Sequence, residues 1–204
     1  GMESWTCLIG QHNAYNLLAI YTTAVVLGAD PEETLVAMSS LRPAPGRLEN
    51  MRGPKDISVI IDYAHTPDAL ENVLKTLREI APDRELICVF GCGGDRDRTK
   101  SPEMGKIAQK MADRIIVTAD NSRTEKTTDI MADIKEGMDI SGKAKSLFIE
   151  DREQAIRTAL MLANQGATIL LAGKGHETYQ ITGTEKRHFD EKEIVAEAFK
   201  DIEQ

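Results

Sequence analysis

Cysteine is scarce in the 204 residues: there are three, Cys7, Cys88 and Cys92. The number is odd, and the pair at 88 and 92 has no second pair with which to complete a zinc site. Reduced, partly buried thiols are expected. Long apolar runs are missing too. None approaches the roughly 20 residues needed to span a bilayer, and the start, GMESWTC, lacks the basic, apolar and small-residue progression of a signal peptide. A cytoplasmic protein without membrane insertion is expected. Positive charge is in deficit: 25 Lys and Arg against 33 Asp and Glu give a net charge of -8, which argues against a general attraction to nucleic acid or to an anionic membrane. Three motifs are also absent. With no G-x-G-x-x-G opening a first helix, no G-x-x-x-x-G-K-[ST] and no H-E-x-x-H, the sequence gives little support to hydride transfer, autonomous ATP hydrolysis or a metal site made by this chain alone.

What is present is a core-forming fraction of 41% hydrophobic residues, enough for one sizeable core and part of a second. From Ile57 onward, apolar runs of strand length alternate with segments of helical period. The runs are ISVIID, ELICVFG, RIIVTAD, KSLFIE and ATILLAG; the helical segments are 67–80, 102–111, 127–138, 152–163 and 191–202. Strands without polar alternation are buried on both faces, so the pattern predicts an α/β domain with a doubly wound, mainly parallel sheet. The first forty residues differ. They read as two helices, 13–27 and 31–41, the second opened by Asp30 as N-cap, Pro31 in the first turn and Glu33 as capping-box acid. Two helices cannot enclose a core alone. Residues 1–42 are therefore expected to be the tail of a domain that begins upstream, and 43–204 a domain of their own, with RPAPG as the linker.

In an open parallel sheet, ligands bind beyond the carboxyl ends of the strands. The segments placed there are DYAHTPDA, GCGGDRDRTK, ADNSRTE, EDR and GKGHE, and ionisable residues concentrate in them. Each has a structural reading beside the functional one. Asp62 and His65 could cap the helix begun at Pro67, although Thr66 can do so without them. Asp120 and Asn121 are ordinary turn residues. Gly173 and Gly175 could merely permit a tight turn, and Lys174 between them could be solvated. GCGGDRDR could be a mobile charged loop, but Gly93 and Gly94 let a backbone approach a ligand that Arg96 can grip bidentately.

Seven motifs in order resemble the C-terminal part of the Mur ligases: GQHNAYNLLA, PAPGRLE, VIIDYAHTPDALENVL, VFGCGGDRDRTKSPEMG, IIVTADNSRTE, LLAGKGHETYQ and HFDEKE. The resemblance implies a Rossmann-like C-terminal domain preceded by a helical fragment of a central ATPase domain. It implies an ATP-dependent acid-amino-acid ligase in cell-wall (peptidoglycan) synthesis. ATP with Mg2+ activates the carboxylate of UDP-MurNAc-L-Ala-D-Glu, and the amino group of a diamino acid then forms the amide. Carried over residue by residue, Asn13 and Asn16 would lie near adenine, Arg47 near the phosphates and Asp62 on the ribose. Arg96, Asp120, Asn121, Ser122, Arg123, Gly173 and Glu177 would hold the diamino acid, whose mixed charge suits a loop of mixed sign. No catalytic residue and no metal ligand is expected in this chain, because the N-terminal and central domains of such a ligase, with the phosphate loop and magnesium ligands, are not in it. The chain alone is expected to be inactive.

The sequence departs from the pattern in two places. Ser122 stands where diaminopimelate-adding members usually have proline, and Ser101 where an arginine usually precedes Pro102. Arg123 is retained, and lysine-adding members commonly lack it, so meso-diaminopimelate is favoured over L-lysine. Another acid-amino-acid ligase of the superfamily, or a non-catalytic module that binds an amino acid or nucleotide, remains as an alternative reading.

Overall fold

The computed structural model describes residues 6, 8, 10–42 and 44–203. Residues 1–44 and 45–204 form two compact units. In the first, α1 (Gln11–Val26) pairs with α2 (Pro31–Ser39). The start of α2 follows from its sequence: Asp30 Oδ1 accepts from the N–H groups of Glu32 and Glu33 at 2.9 and 3.0 Å, and Pro31 sits where a missing N–H costs no bond. The pair buries little. Leu18, Val26, Leu27 and Val36 all remain exposed.

The second unit is built on six strands: β1 (Glu49–Arg52), β2 (Ser58–Asp62), β3 (Leu86–Phe90), β4 (Arg114–Val117), β5 (Ser146–Phe148) and β6 (Thr168–Ala172). Their order across the sheet is β1-β2-β6-β3-β4-β5. All neighbours are parallel except β1, which runs antiparallel to β2 at the edge. Helices α3 (Pro67–Ile80), α4 (Lys100–Met111), α5 (Thr127–Glu136) and the short α6 (Ile140–Ala144) pack as one series, and α7 (Arg152–Leu162) pairs with α8 (Glu191–Glu203). The period-2 alternation of the strands assigns their faces. Val59, Ile61, Ile87, Val89, Ile169 and Leu171 join Ala155, Ile156, Val195 and Phe199 in one buried cluster on the α7–α8 side. Leu70, Val73, Leu74 and Leu77 form the buried stripe of α3, and Thr66 Oγ1 caps that helix by accepting from Ala69 N at 3.3 Å.

The doubly wound sheet expected from the sequence is therefore present. Elements not foreseen are β1, α6 and a hairpin of β7 (Tyr179–Thr182) with β8 (Glu185–His188) after the fifth parallel strand. β5 is shorter than KSLFIE suggests and only half buried, as the outermost strand must be. Among the described residues no helix is long and apolar enough to cross a membrane.

Candidate functional site

β2, β6, β3 and β4 end side by side, and the four loops that follow them meet at one rim. Backbone bonds hold the loops together: Gly173 N donates to Asp62 O at 3.0 Å, Thr118 N to Phe90 O at 2.9 Å and Gly94 N to Asn121 O at 2.9 Å. The approach is close enough to require glycine at 94, where an added Cβ would lie 1.9 Å from Ser122 O.

A cavity of about 430 Å3 opens at this rim, and its wall includes Arg96, Asp120, Asn121, Arg123, Gly173 and Glu177. Ser122 is buried and is not part of the wall. Tyr63, His65, Cys92, Asp97, Lys100 and Met104 complete much of the lining. The charges are sorted. A Cβ built on Gly93 would meet Arg123 Nη1 at 3.0 Å and Arg96 Cγ at 3.9 Å, so both arginine side chains pass this glycine. A Cβ on Gly173 would meet Asp120 Oδ2 at 3.2 Å, and the Asp120 and Glu177 carboxylates share the cation of Lys174.

Arg123 adopts φ 51°, and its Nη1 donates to Gly94 O at 2.8 Å and Asn121 O at 3.2 Å. Among the described residues neither Arg123 nor Arg96 forms a salt bridge, whereas Arg98, two residues beyond Arg96, is taken by Asp133 at 2.7 Å. Asn121 is the hub of the opposite cluster. Its Nδ2 donates to Glu177 Oε2 at 2.9 Å, and its Oδ1 accepts from Ile181 N at 2.9 Å and Lys174 Nζ at 3.2 Å. Lys174 is not solvated, contrary to one reading of GKGHE: it is fully buried, and its Nζ also donates to Tyr179 O at 2.7 Å. The hairpin, invisible in the sequence pattern, supplies that carbonyl.

Behind the rim lies a second buried cation. Arg152 is 0% exposed; Nε donates to Glu191 Oε1 at 2.8 Å, Nη1 to Ala119 O at 3.0 Å and Nη2 to Ala172 O at 2.9 Å. Those carbonyls belong to the residues just before Asp120 and Gly173, so Arg152 ties two strand ends together. Burial pushes the Cys88 thiol up to about 12 and that of Cys92 up to about 11, which keeps both protonated at neutral pH. Cys7 lies outside the described residues.

Of the residues expected near a nucleotide, Arg47 and Asp62 lie in this unit and Asn13 and Asn16 on α1 of the other. Arg47 is exposed, its Cζ 5.1 Å from the Tyr63 ring centroid; His65 and His176 also pack on that ring. Asp62 is buried, with Oδ2 accepting from Leu48 N and Oδ1 from Ala64 N, both at 2.8 Å. The carboxylate thus pins the segment after Arg47 to the rim, a fold role that the sequence did not disclose. Asn16 Nδ2 donates to Asn13 Oδ1 at 3.5 Å. Among the described residues no group of three or more His, Cys, Asp or Glu is arranged to hold a metal ion.

The second unit is thus a mainly parallel α/β domain with a charged cavity at its carboxyl rim. The chain belongs to the Mur ligase family: the domain described as "Mur ligase, glutamate ligase domain" matches residues 46–175. A relative from Cytophaga hutchinsonii, named UDP-N-acetylmuramoyl-L-alanyl-D-glutamate--2,6-diaminopimelate ligase, is 47% identical over 97% of this chain and 40% of its own length. A solved structure of a protein with that name aligns with a TM-score of 0.77 and 39% identity, covering 98% of this chain and 41% of its own. Mycobacterium tuberculosis folylpolyglutamate synthase complexed with ADP aligns at 0.65 with 25% identity, over 82% of this chain and 38% of its own. The chain thus spans about 40% of the length of the curated relatives that it matches.

Proposed function

We propose that this chain is the C-terminal portion of an ATP-dependent amide ligase that joins meso-diaminopimelate to UDP-MurNAc-L-Ala-D-Glu in peptidoglycan synthesis, in the cytoplasm, and that the rim cavity receives the diamino acid. The observation that carries this reading is the sorting of charge. Two arginine side chains that form no salt bridge among the described residues pass Gly93, with Asp95 as their nearby carboxylate, while two carboxylates lie about Lys174 near Gly173. Diaminopimelate bears two carboxylates, one for each arginine, and an ammonium group suited to the acid cluster. L-Lysine has one carboxylate and would leave a guanidinium unused; the names of the relatives favour the same choice.

ATP and Mg2+ supply carboxylate activation, and their principal ligands belong to domains beyond this chain. Within it, Arg47 is exposed beside Tyr63 and suits a phosphate group, and Asn13 and Asn16 carry the amides suited to a base edge. Asp62, which accepts two backbone bonds, lies on the ribose on this reading. Ser122 supports the loop from inside. The test is amino-acid-dependent phosphate release by the full-length ligase carrying this chain, given UDP-MurNAc-dipeptide, ATP and Mg2+. Diaminopimelate should far exceed L-lysine in kcat/KM; equal use, or preference for lysine, overturns the substrate assignment.

A further inference from the structure

Lys174 has no role in the reading just given, and does not line the cavity, yet it is the most completely enclosed cation at the rim. Its Nζ lies 3.5 Å from Asp120 Oδ1 and 3.5 Å from Glu177 Oε2, the two carboxylates that do line it. The other contacts, Tyr179 O at 2.7 Å and Asn121 Oδ1 at 3.2 Å, are neutral and shorter. An ammonium has three protons, so two are spent on these neutral acceptors and the third is divided between the carboxylates. The result is a cluster of two acids and one internal cation. One negative charge is left over for the cavity.

We propose that Lys174 sets the charge count of the amine-binding side and so determines how many cations it accepts: one substrate ammonium, held by Glu177 and Asp120 together. This rests on the assignment of the cavity to a diamino acid. Without Lys174, two carboxylates with restricted access to water would face each other unscreened, and one would take up a proton or recruit a second cation. With it, the cluster of two acids and one cation presents a single surplus charge. Glu177 bears the exposed share: it is the less buried of the two, and its charge is the first cause that pushes the phenol of Tyr179 up. Lys174 is thus a positioning and specificity-determining residue that acts through the two acids. Its shorter bonds to Asn121 and Tyr179 fix the place from which it acts.

A charge-count role and a packing role make opposite predictions for a double variant. In the full-length ligase, Lys174→Met leaves two carboxylates that capture a proton or a solution cation in the ammonium's place, so KM for diaminopimelate should rise roughly tenfold or more, with KM for ATP unchanged. Adding Asp120→Asn removes the surplus negative charge, so Lys174→Met/Asp120→Asn should bind the amino acid more tightly than either single variant. Losses in the double variant as large as the sum of the single ones would overturn the proposal, because restoring the charge count would then restore no binding. If Lys174→Met alone does not fold, the double variant still decides. Recovery of a folded, diaminopimelate-using enzyme supports charge compensation, and a double variant as unfolded as the single refutes it. Failure of the wild type to use any diamino acid would instead refute the assignment of the cavity.

Discussion

Arg123 is the residue on which substrate choice should turn. Its Nη1 holds two backbone carbonyls, so replacement loosens the loop for any substrate; the rest of the fork is what a distal carboxylate would meet. Leaving that carboxylate unpaired typically costs about 2 to 5 kcal/mol. Arg123→Ala should therefore lower kcat/KM for diaminopimelate by roughly thirtyfold or more, at about 1.4 kcal/mol per decade, and lower that for L-lysine far less. Equal factors for both would confine Arg123 to loop support. Arg152 tests stability instead. Arg152→Met leaves Glu191 charged, buried and unpaired, which typically costs about 3 to 5 kcal/mol. Calorimetry should then show Tm lower by roughly 6 to 20 °C for a domain of this size; a shift under about 2 °C would mean that the pair carries no net stability. Neither buried cation was legible in the sequence. A lysine between two glycines and an arginine after Asp151 look like surface residues, because Glu191 stands 39 positions from Arg152 and Asp120 stands 54 from Lys174, and the nearby Glu177 and Tyr179 give no period that marks a buried lysine. What could be read was the concentration of ionisable residues after the strands, since that follows from strand position alone.

Elements were legible where their period was strong. β2, β3, β4 and β6 are apolar runs buried on both faces, and α3 carries its stripe at helical spacing. β1 reads ENMR and β8 reads EKRH, sequences with no apolar alternation, and they form strands only because a neighbour offers backbone partners. The loop after β3 gains its shape in the same way, from the loop after β4. Gly94→Ala would drive a methyl group into the Ser122 carbonyl, a backbone atom that cannot step aside. Overpacking of this kind costs about 1 to 3 kcal/mol. The expected outcome is a raised KM for the diamino acid with KM for ATP unchanged, since only the cavity side is displaced. An unaltered KM would show that the two loops move as one.

At the scale of the whole molecule, the 204 residues should form no amide bond. Incubation with UDP-MurNAc-dipeptide, ATP, Mg2+ and diaminopimelate should release no phosphate above a blank, and release abolished by Arg96→Ala would overturn that expectation. The two units should also differ in stability. α1 and α2 leave much of their apolar surface exposed, whereas β3 and β6 are buried throughout. Hydrogen exchange should therefore strip protection from α1 and α2 well before β3 and β6; the reverse order would show that the helices have a stability of their own.

The place of β6 governs how the chain can fold as it is made. β6 is the last strand of the sheet in sequence but lies between β2 and β3, with Thr168 in register with Ser58 on one side and Leu86 on the other. Until it leaves the ribosome, everything earlier amounts to two part-sheets with facing, unpaired edges, which are adhesive surfaces while they wait. Synthesis therefore delivers the keystone late. A nascent chain arrested before Gly166 should be cut readily by protease, and resistance should appear abruptly once β6 has cleared the exit tunnel.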